Sequence, residues 1–245
     1  MRSLIVIPAR MSSARLPGKP LADIDGLPMV VRVCQQASAA NIGPVWVAAA
    51  ETEIADAVER AGFSAVLTDP ELPSGSDRVH AALAEIDSEG TYDAVINLQG
   101  DMPTLEPGAL RAVLKPLEDD ACDVATLAAV IREETEVADP NVVKAVLGDA
   151  RGGISRAYYF SRATVPTGEG PLWHHVGVYA WRRAALDDFV AAPPSGLEKR
   201  ERLEQLRALE LGMRIGCAIL EGDPPNGVDT PEDLEAARRF YTRAR

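Results

Sequence analysis

The sequence predicts an α/β fold, with a doubly wound, mostly parallel sheet and helices on both of its faces. Short apolar runs rich in valine and isoleucine recur along the first half of the chain, and helical stretches separate them. Runs of about four to seven such residues are typical of strands buried on both faces. Because parallel strands are joined by crossover helices, this alternation favours a sheet that is covered on both sides.

The predicted elements of the first half follow one another in a regular order. The strands are expected at 4–7, 45–49, 65–67, 94–98 and 124–130, and the helices at 29–40, 53–61, 76–86 and 107–117.

The second half of the chain changes this rhythm. Residues 141–181 are strand-like with glycine-rich turns, and they precede a helix over 197–211, a strand near 215–220 and a last helix over 231–241. Thr230 before Pro231 is typical of a helix start, since proline suits the first helical position. We find no long linker, so we expect one domain over 1–245 in which 141–181 is an inserted subregion.

Composition and charge exclude several classes of protein. Of the 245 residues, 47% are hydrophobic and 25% charged, which excludes wholesale disorder. The net charge of −12 argues against a general binder of nucleic acid or of anionic membranes. No apolar run is long enough for a membrane span or a secretory signal, so we expect a soluble cytoplasmic protein. Cys34, Cys122 and Cys217 are expected to be reduced core residues.

A basic loop follows the first predicted strand. Residues 8–20 hold Arg10, Arg15 and Lys19 but no acidic residue, although the chain as a whole is acidic. Ligands of open parallel sheets bind beyond the carboxyl ends of the strands, and arginine and lysine suit the charge of a triphosphate. A solvated surface loop is the alternative. The loop does not fit a Walker A motif, and no Gly-x-Gly-x-x-Gly follows a strand, so P-loop phosphotransfer and dinucleotide-dependent hydride transfer are disfavoured.

Two aspartates are candidates for a metal site. Asp101 follows the predicted strand at 94–98, and Asp229 precedes the last predicted helix. A carboxylate at the end of a strand is well placed for Mg²⁺, which takes few protein oxygens and completes its shell with water and phosphate. Each aspartate alone is equally compatible with a turn or a helix cap.

A polar strand face is a candidate sugar site. In a strand, His175, Gly177 and Tyr179 project to one face, with a gap at the glycine between an imidazole and a phenol. The alternative is a core tyrosine beside a satisfied histidine. Neighbouring His174 and His175 point to opposite faces, which disfavours zinc.

Blocks of sequence along essentially the whole chain resemble the 3-deoxy-manno-octulosonate cytidylyltransferases, or CMP-Kdo synthetases. In chain order they are IPAR at 7–10, LPGKPL at 16–21, SGSDR at 74–78, QGD at 99–101, YFSRAT at 159–164, HVGVY at 175–179, LEQLR at 203–207 and GVDTPEDL at 227–234. The ordered set is specific to this family.

The resemblance implies a nucleotide-sugar transferase fold of Rossmann-like type. It implies transfer of CMP from CTP to 3-deoxy-D-manno-octulosonate (Kdo) with release of pyrophosphate, which activates Kdo for lipopolysaccharide synthesis. It also implies a requirement for Mg²⁺ and a homodimer, with 141–181 as the sugar-binding and dimerisation subregion.

Matching positions imply the site residues. The nucleotide set is Pro8, Ala9, Arg10, Arg15, Lys19, Ser74, Gly75, Arg78 and Gln99, and the sugar set is Gln99, Arg162, His175, Tyr179, Glu204 and Gln205. The metal ligands are Asp101 and Asp229, which with Arg10, Arg15 and Lys19 make up the expected catalytic set. We expect the guanidinium fork of Arg162 to bind the sugar's carboxylate.

Two rival functions stay open. One is a cytidylyltransferase for another acidic sugar, such as a sialic acid or an amino analogue of Kdo. The other is a non-catalytic protein that binds the nucleotide.

Overall fold

The computed structural model describes residues 1–13, 15–222, 224 and 227–243. These residues form two compact units. Unit 1 contains Met1–Leu110 together with the C-terminal residues 227–243, and unit 2 runs from Arg111 to Pro224.

Strands and helices alternate through most of the chain. The strands are β1 Ser3–Ala9, β2 Asp23–Ile24, β3 Leu27–Pro28, β4 Val45–Ala49, β5 Ser64–Leu67, β6 Ala94–Asn97, β7 Val124–Val130, β8 Lys144–Leu147, β9 Ile154–Ser161, β10 Trp173–Arg182 and β11 Ile215–Leu220. The α-helices are α1 Met29–Ala39, α2 Thr52–Arg60, α3 Gly75–Ile86, α4 Pro107–Ala112, α5 Glu134–Val137, α6 Arg183–Ala191, α7 Gly196–Glu201, α8 Gln205–Glu210 and α9 Pro231–Arg243. Short 3₁₀ helices span Lys19–Leu21 and Lys115–Glu118.

The sheet of unit 1 is parallel and has the strand order β5-β4-β1-β6. Every residue of β1 is buried, and so is every residue of β6. Helices α1, α2 and α3 pack against these strands, which is why the strands read as continuous apolar runs in the sequence. The carboxyl ends of β1 and β6 lie side by side, since the two strands are parallel neighbours.

The C-terminal helix α9 is held in unit 1 by a small apolar cluster. Ile24, Met29, Val228, Leu234 and Ala237 form its buried part. Tyr241 packs against this cluster, and its hydroxyl donates a hydrogen bond to Pro103 O at 2.6 Å. The last turns of α9 therefore lie next to the loop that follows β6.

The strands of unit 2 form a mixed sheet with the order β10-β7-β11-β9-β8. Only β7 and β11 are parallel to each other, and the other pairs of this unit are antiparallel. At Lys144 and Ala145, β8 also pairs with β10, so the first and last strands of this order are hydrogen-bonded to each other.

The structure confirms the predicted α/β fold class and most of its elements. The strands at 45–49, 124–130 and 215–220 have the predicted bounds, and residues 141–181 contain the strands β8 to β10. The three cysteines are free and buried, as predicted. No described helix has the length and apolar character of a membrane span. The single domain with an insertion at 141–181 stays a prediction. In the structure, the strands β8 to β10 belong to the larger unit 2, where they pair with β7 and β11.

Two predicted helices were wrong in extent. The helix at 107–117 ends at Ala112, and a 3₁₀ turn containing Pro116 follows, since proline cannot donate the next helical hydrogen bond. The helix at 197–211 is broken at Arg202, whose φ of 55° is left-handed.

A buried ion pair explains this break. Arg207 donates to Glu198 Oε1 at 2.6 Å and to Oε2 at 2.8 Å, and both side chains are largely buried. Nine residues are about two and a half turns, so in one continuous helix these side chains would lie on opposite faces. The reversal at Arg202 brings α8 back onto α7 and lets the pair form.

Replacing Arg207 with methionine should lower the free energy of unfolding by about 3–5 kcal/mol, because it leaves Glu198 buried without its partner. Urea unfolding measures the loss. Arg200→Met, which removes the same charge from an exposed position on α7, is the control. Equal losses in the two variants would contradict the importance of the pair.

The stabilisation by this pair should also depend on pH. Burial acts to raise the pKa of Glu198, but hydrogen bonds from Arg207 and from the Ser195 N–H outweigh it and lower the pKa below its ordinary 4.5. The stabilisation is therefore complete above about pH 4.5 and is lost as the pH falls through the lower pKa of the folded state. The difference in unfolding free energy between the wild type and Glu198→Gln should shrink below pH 4.5. A difference that stays constant with pH would rule this out.

Candidate active site

A cleft of about 400 Å³ opens in unit 1 at the carboxyl ends of β1 and β6. This volume lies within the range of small-molecule sites. The lining residues are Pro8, Ala9, Arg10, Ser12, Ser13, Arg15, Lys19, Pro20, Ser74, Gly75, Arg78, Gln99, Gly100, Asp101 and Asp229. The fold thus brings together every residue that the sequence predicted for the nucleotide and for the metal.

At the floor of this cleft, the ammonium group of Lys19 lies between the two aspartates. Its Nζ donates to Asp101 Oδ2 at 2.7 Å and to Asp229 Oδ1 at 3.0 Å. The other carboxylate oxygen of Asp229 forms an ion pair with Arg15 Nη2 at 2.8 Å. Burial acts to lower the pKa of Lys19, but the two carboxylates outweigh it and raise the pKa, so Lys19 is charged at neutral pH.

The basic loop is held in shape by backbone bonds. The Gly18 N–H donates to Met11 O at 3.2 Å, and the Met11 N–H donates to Glu51 Oε2 at 2.9 Å. Gly18 has a φ of 70°, which favours glycine, and it starts the short 3₁₀ helix that carries Lys19. The alternative of a solvated surface loop is compatible with the exposed Arg10 and Arg15 but not with Lys19, whose side chain is only 15% exposed.

The two aspartates are tied to each other through the backbone. The Val228 N–H donates to Asp101 O at 2.8 Å, which joins the loop after β6 to the start of α9. The carboxylate of Asp233 accepts hydrogen bonds from the N–H groups of Asp229 at 3.1 Å and Thr230 at 2.9 Å. Burial acts to raise the pKa of Asp233, but these bonds and one from the Thr230 hydroxyl outweigh it and lower the pKa. Asp233 is thereby fixed as a charged cap that orients Asp229.

Close backbone approach and a helix start shape the rest of the cleft. A Cβ on Gly100 would lie 2.9 Å from Pro8 O, so the ends of β1 and β6 meet this closely only with glycine there. Ser74 caps α3 by accepting from the Asp77 N–H at 3.2 Å. Ser74 and Gly75 both line the cleft, so the N-terminus of α3, which favours anions, lies in it.

Two arginines that were predicted together have different surroundings. Arg78 is only 2% exposed, and its guanidinium donates to Thr68 Oγ1 at 2.6 Å and to Asp69 O at 3.0 Å, so it anchors the loop after β5. Burial and the positive charge of Arg10 lower the pKa of Arg78. Arg10 is exposed, and no described residue bonds its guanidinium. Arg10 is thus ready to bind an anion, whereas Arg78 contributes charge from a fixed position.

The donor set at the aspartates suits a hard divalent cation. Two carboxylate oxygens from distant parts of the chain already converge on one cationic atom, Lys19 Nζ. Among the described residues, no group of three or more histidine, cysteine, aspartate and glutamate side chains is placed to hold a metal. Two carboxylates fit Mg²⁺, which keeps several waters and phosphate oxygens in its shell.

Two of the predicted sugar residues belong to an aromatic row in unit 2. The His175 ring lies 4.8 Å from the Phe160 ring and 5.5 Å from the Tyr179 ring. His175 Nε2 is 3.0 Å from Thr126 Oγ1, whose own proton goes to Val178 O at 2.9 Å, so we assign the Nε2–H tautomer. Burial lowers the pKa of His175 to about 3, which keeps it neutral. Burial, followed by the charge of Glu204, raises the pKa of Tyr179.

Arg162 differs from the expectation of a guanidinium fork open to a carboxylate. Its side chain donates to Glu201 O at 2.9 Å, Pro140 O at 2.9 Å and Arg202 O at 3.2 Å. Three of the five guanidinium N–H donors are therefore already used by backbone carbonyls. Gln205 is buried, and its Nε2 has no partner among the described residues. The sugar assignment of Arg162, His175, Tyr179, Glu204 and Gln205 stays a prediction.

Sequence reasoning missed two residues that shape the cleft. In the sequence, Asp233 is recognisable only as part of the helix start at Thr230 and Pro231, so its role in orienting Asp229 was missed. Glu51 gave no signal, because its contact with Met11 depends on β1 and β4 being neighbours.

Comparisons with known proteins identify the family of the chain. A sequence model described as cytidylyltransferase matches residues 4–215. The 3-deoxy-manno-octulosonate cytidylyltransferase of Azorhizobium caulinodans is 59% identical over 238 residues, 96% of this chain and 94% of that protein. The enzyme of the same name from Parvibaculum lavamentivorans is 58% identical over 240 residues, 98% of this chain and 93% of that protein.

One solved structure supports the same family, and a second shares the fold. The structure of a CMP:2-keto-3-deoxy-manno-octonic acid synthetase complexed with CTP covers 100% of both chains with a TM-score of 0.91 and 36% identity. A UDP-glucose pyrophosphorylase complexed with UDP-glucose covers 100% of both chains with a TM-score of 0.68 and 14% identity, so it shares the fold alone. From its match to the cytidylyltransferase model and its identity to these relatives over nearly their whole lengths, the chain belongs to the 3-deoxy-manno-octulosonate cytidylyltransferase family.

Proposed function

We propose that the cleft of unit 1 binds CTP with Mg²⁺ and that the chain transfers CMP from CTP to Kdo, giving CMP-Kdo and pyrophosphate. The observation that carries this proposal is the convergence of Asp101 and Asp229 on one cationic point beside the basic loop. The relatives that match nearly the whole chain bear the name of this enzyme. Their likeness supports the same substrates here.

The charge of the cleft suits a nucleoside triphosphate. Its charged lining residues are the four cations Arg10, Arg15, Lys19 and Arg78 and the two carboxylates of Asp101 and Asp229. The described lining therefore carries two net positive charges within a chain whose net charge is −12. This local excess attracts a triphosphate that the protein as a whole would repel.

Asp101 and Asp229 are the proposed ligands of Mg²⁺. When bound, Mg²⁺ supplies neutralisation of phosphate charge and polarisation of the phosphoryl oxygens. Backbone bonds at Val228 and the cap at Asp233 orient the two carboxylates before any ligand binds. Such prior orientation lowers the cost of reaching the transition state.

The basic side chains bind and orient the triphosphate. Arg10, whose guanidinium no described residue bonds, lines the cleft together with Ser74 and Gly75 at the N-terminus of α3, which favours anions. The anomeric hydroxyl of the sugar attacks the α-phosphorus in line with the leaving pyrophosphate, and its proton passes to solvent. Such phosphoryl chemistry depends mainly on positioning and charge neutralisation, so no covalent intermediate with the protein is required.

Gln99 is proposed to contact the nucleotide base or the sugar. Its Nε2 donates to Asn97 Oδ1 at 3.1 Å, and Asn97 Nδ2 in turn donates to Ser76 Oγ at 3.4 Å. This chain of bonds fixes the orientation of the Gln99 amide at the wall of the cleft.

Kdo is proposed to be held by Arg162, His175, Tyr179, Glu204 and Gln205 as well as Gln99. The buried, unpartnered Nε2 of Gln205 supports this part of the proposal, since a buried amide donor generally has a partner. We further propose that the protein acts as a cytoplasmic homodimer, with residues 141–181 at the dimer interface, and that its product serves lipopolysaccharide synthesis.

Purified protein with Mg²⁺, CTP and Kdo should release pyrophosphate, which a coupled phosphate assay measures. UTP in place of CTP and a sialic acid in place of Kdo should give little release. Release of pyrophosphate only with another sugar acid would support the nucleotide site but would show that the assigned acceptor, Kdo, is wrong. CTP binding without release for any sugar acid would favour the non-catalytic alternative.

Replacing Asp101 with asparagine should lower turnover by about a hundredfold or more while leaving the unfolding free energy nearly unchanged, because it removes charge at the metal but keeps the shape. Asp56→Asn, at an exposed position of α2, is the matched control. Near-normal pyrophosphate release by Asp101→Asn would refute the metal assignment.

A further inference from the structure

The ammonium group of Lys19 lies between the two proposed metal ligands, Asp101 and Asp229. It touches one oxygen of each carboxylate, at 2.7 Å and 3.0 Å, and the lysine side chain is only 15% exposed. The two carboxylates are thus already bridged by a cation that belongs to the chain itself, and Arg15 supplies a second positive charge at Asp229.

We propose that Lys19 is the built-in counter-cation of the Asp101–Asp229 pair, and that a divalent cation takes both carboxylates only when the triphosphate draws Lys19 away from them. The inference rests on the proposed function, since it takes these aspartates as the metal ligands. It adds that metal binding and nucleotide binding are coupled through one lysine.

Space is the first argument for this exchange. Mg²⁺ binds carboxylate oxygens at about 2.0–2.1 Å and demands nearly octahedral geometry. An ammonium that donates to both facing oxygens occupies the point on which those oxygens converge. The two cations therefore compete for the same oxygens.

Charge is the second argument. The ammonium of Lys19 and the guanidinium of Arg15 lie directly against the two carboxylates, so a divalent cation arriving alone meets repulsion from these adjacent cations. A triphosphate brings about four negative charges, which reverse the sign of the cleft and give Lys19 new oxygens to bind. Binding of the triphosphate thus removes Lys19 from between the carboxylates and makes that position attractive to a divalent cation.

The chain allows the lysine to move while the carboxylates stay. Lysine carries its charge on a flexible four-carbon stem, whereas Asp101 and Asp229 are held through the backbone bond at Val228 and the cap at Asp233. Arg15, which binds the other oxygen of Asp229, can keep its contact during the exchange. By linkage, the metal should strengthen nucleotide binding as much as the nucleotide strengthens metal binding.

Binding of Mn²⁺, followed by electron paramagnetic resonance, tests this exchange without any turnover. In the absence of nucleotide, Lys19→Met should bind Mn²⁺ about tenfold or more tightly than the wild type, since an adjacent cation is removed. Lys115→Met, which removes the same charge from an exposed position in unit 2, should bind as the wild type does. The double variant Lys19→Met/Asp101→Asn should lose the gain, which locates the gain at this pair.

A second measurement uses the wild-type chain, so it does not depend on the folding of a variant. Lys19 should react slowly with an amine-acylating reagent in the free protein, and mass spectrometry should show that millimolar Mg²⁺ alone leaves this labelling unchanged, because the metal does not take the carboxylates without the triphosphate. Lys115 serves as the internal standard, whose labelling should not change. A several-fold rise in Lys19 labelling with Mg²⁺ alone would show that the metal displaces the lysine without nucleotide, and it would overturn the inference.

The outcomes distinguish this inference from the proposed function. If Mn²⁺ binds to the wild type with CTP and Asp101→Asn abolishes that binding, the metal assignment holds. If Lys19→Met then shows no gain without nucleotide, or Lys115→Met shows the same gain, the counter-cation role alone is wrong. If Asp101→Asn leaves Mn²⁺ binding unchanged with CTP, the metal site and the inference both fail.

Discussion

Mutual repulsion between Asp101 and Asp229 is the constraint on which the cleft of unit 1 depends. Two partly buried carboxylates so close together repel each other unless a cation lies between them. Lys19 supplies that cation from the opposite end of the sequence, and the loop bonds at Gly18 and Glu51 hold it there. The parallel neighbours β1 and β6 bring the two loops to one edge of the sheet.

Sequence patterns predicted those features of unit 1 that depend on residues close together in the chain. A buried parallel strand reads as an apolar run, and a loop after such a strand lies at the ligand edge, so the strands and the basic loop were found from the sequence. Glu51 was missed, because nothing in its neighbourhood shows that it accepts a bond from Met11. Arg10 and Arg78 looked alike in sequence, and only burial separates the exposed anion ligand from the structural anchor.

Unit 2 was harder to predict for the same physical reason. The stretch over 197–211 has helical composition throughout, and its interruption at Arg202 serves a contact between Glu198 and Arg207 that no local propensity reveals. Arg162 was placed by resemblance as a carboxylate ligand, yet in the folded chain it binds backbone carbonyls. Long side chains with several donors are the least predictable from sequence, because tertiary neighbours decide where each donor goes.

The double pairing of β8 restricts how two copies of this chain can associate. An edge strand with unpaired backbone groups invites another strand to extend the sheet. Over Lys144 and Ala145, β8 is flanked by β9 on one side and β10 on the other, so its backbone groups are already used. A second copy cannot dock there by strand addition. Side chains such as Tyr158, which is 57% exposed on β9 with Arg156 stacked over its ring, are the groups that this part of unit 2 leaves available to a partner.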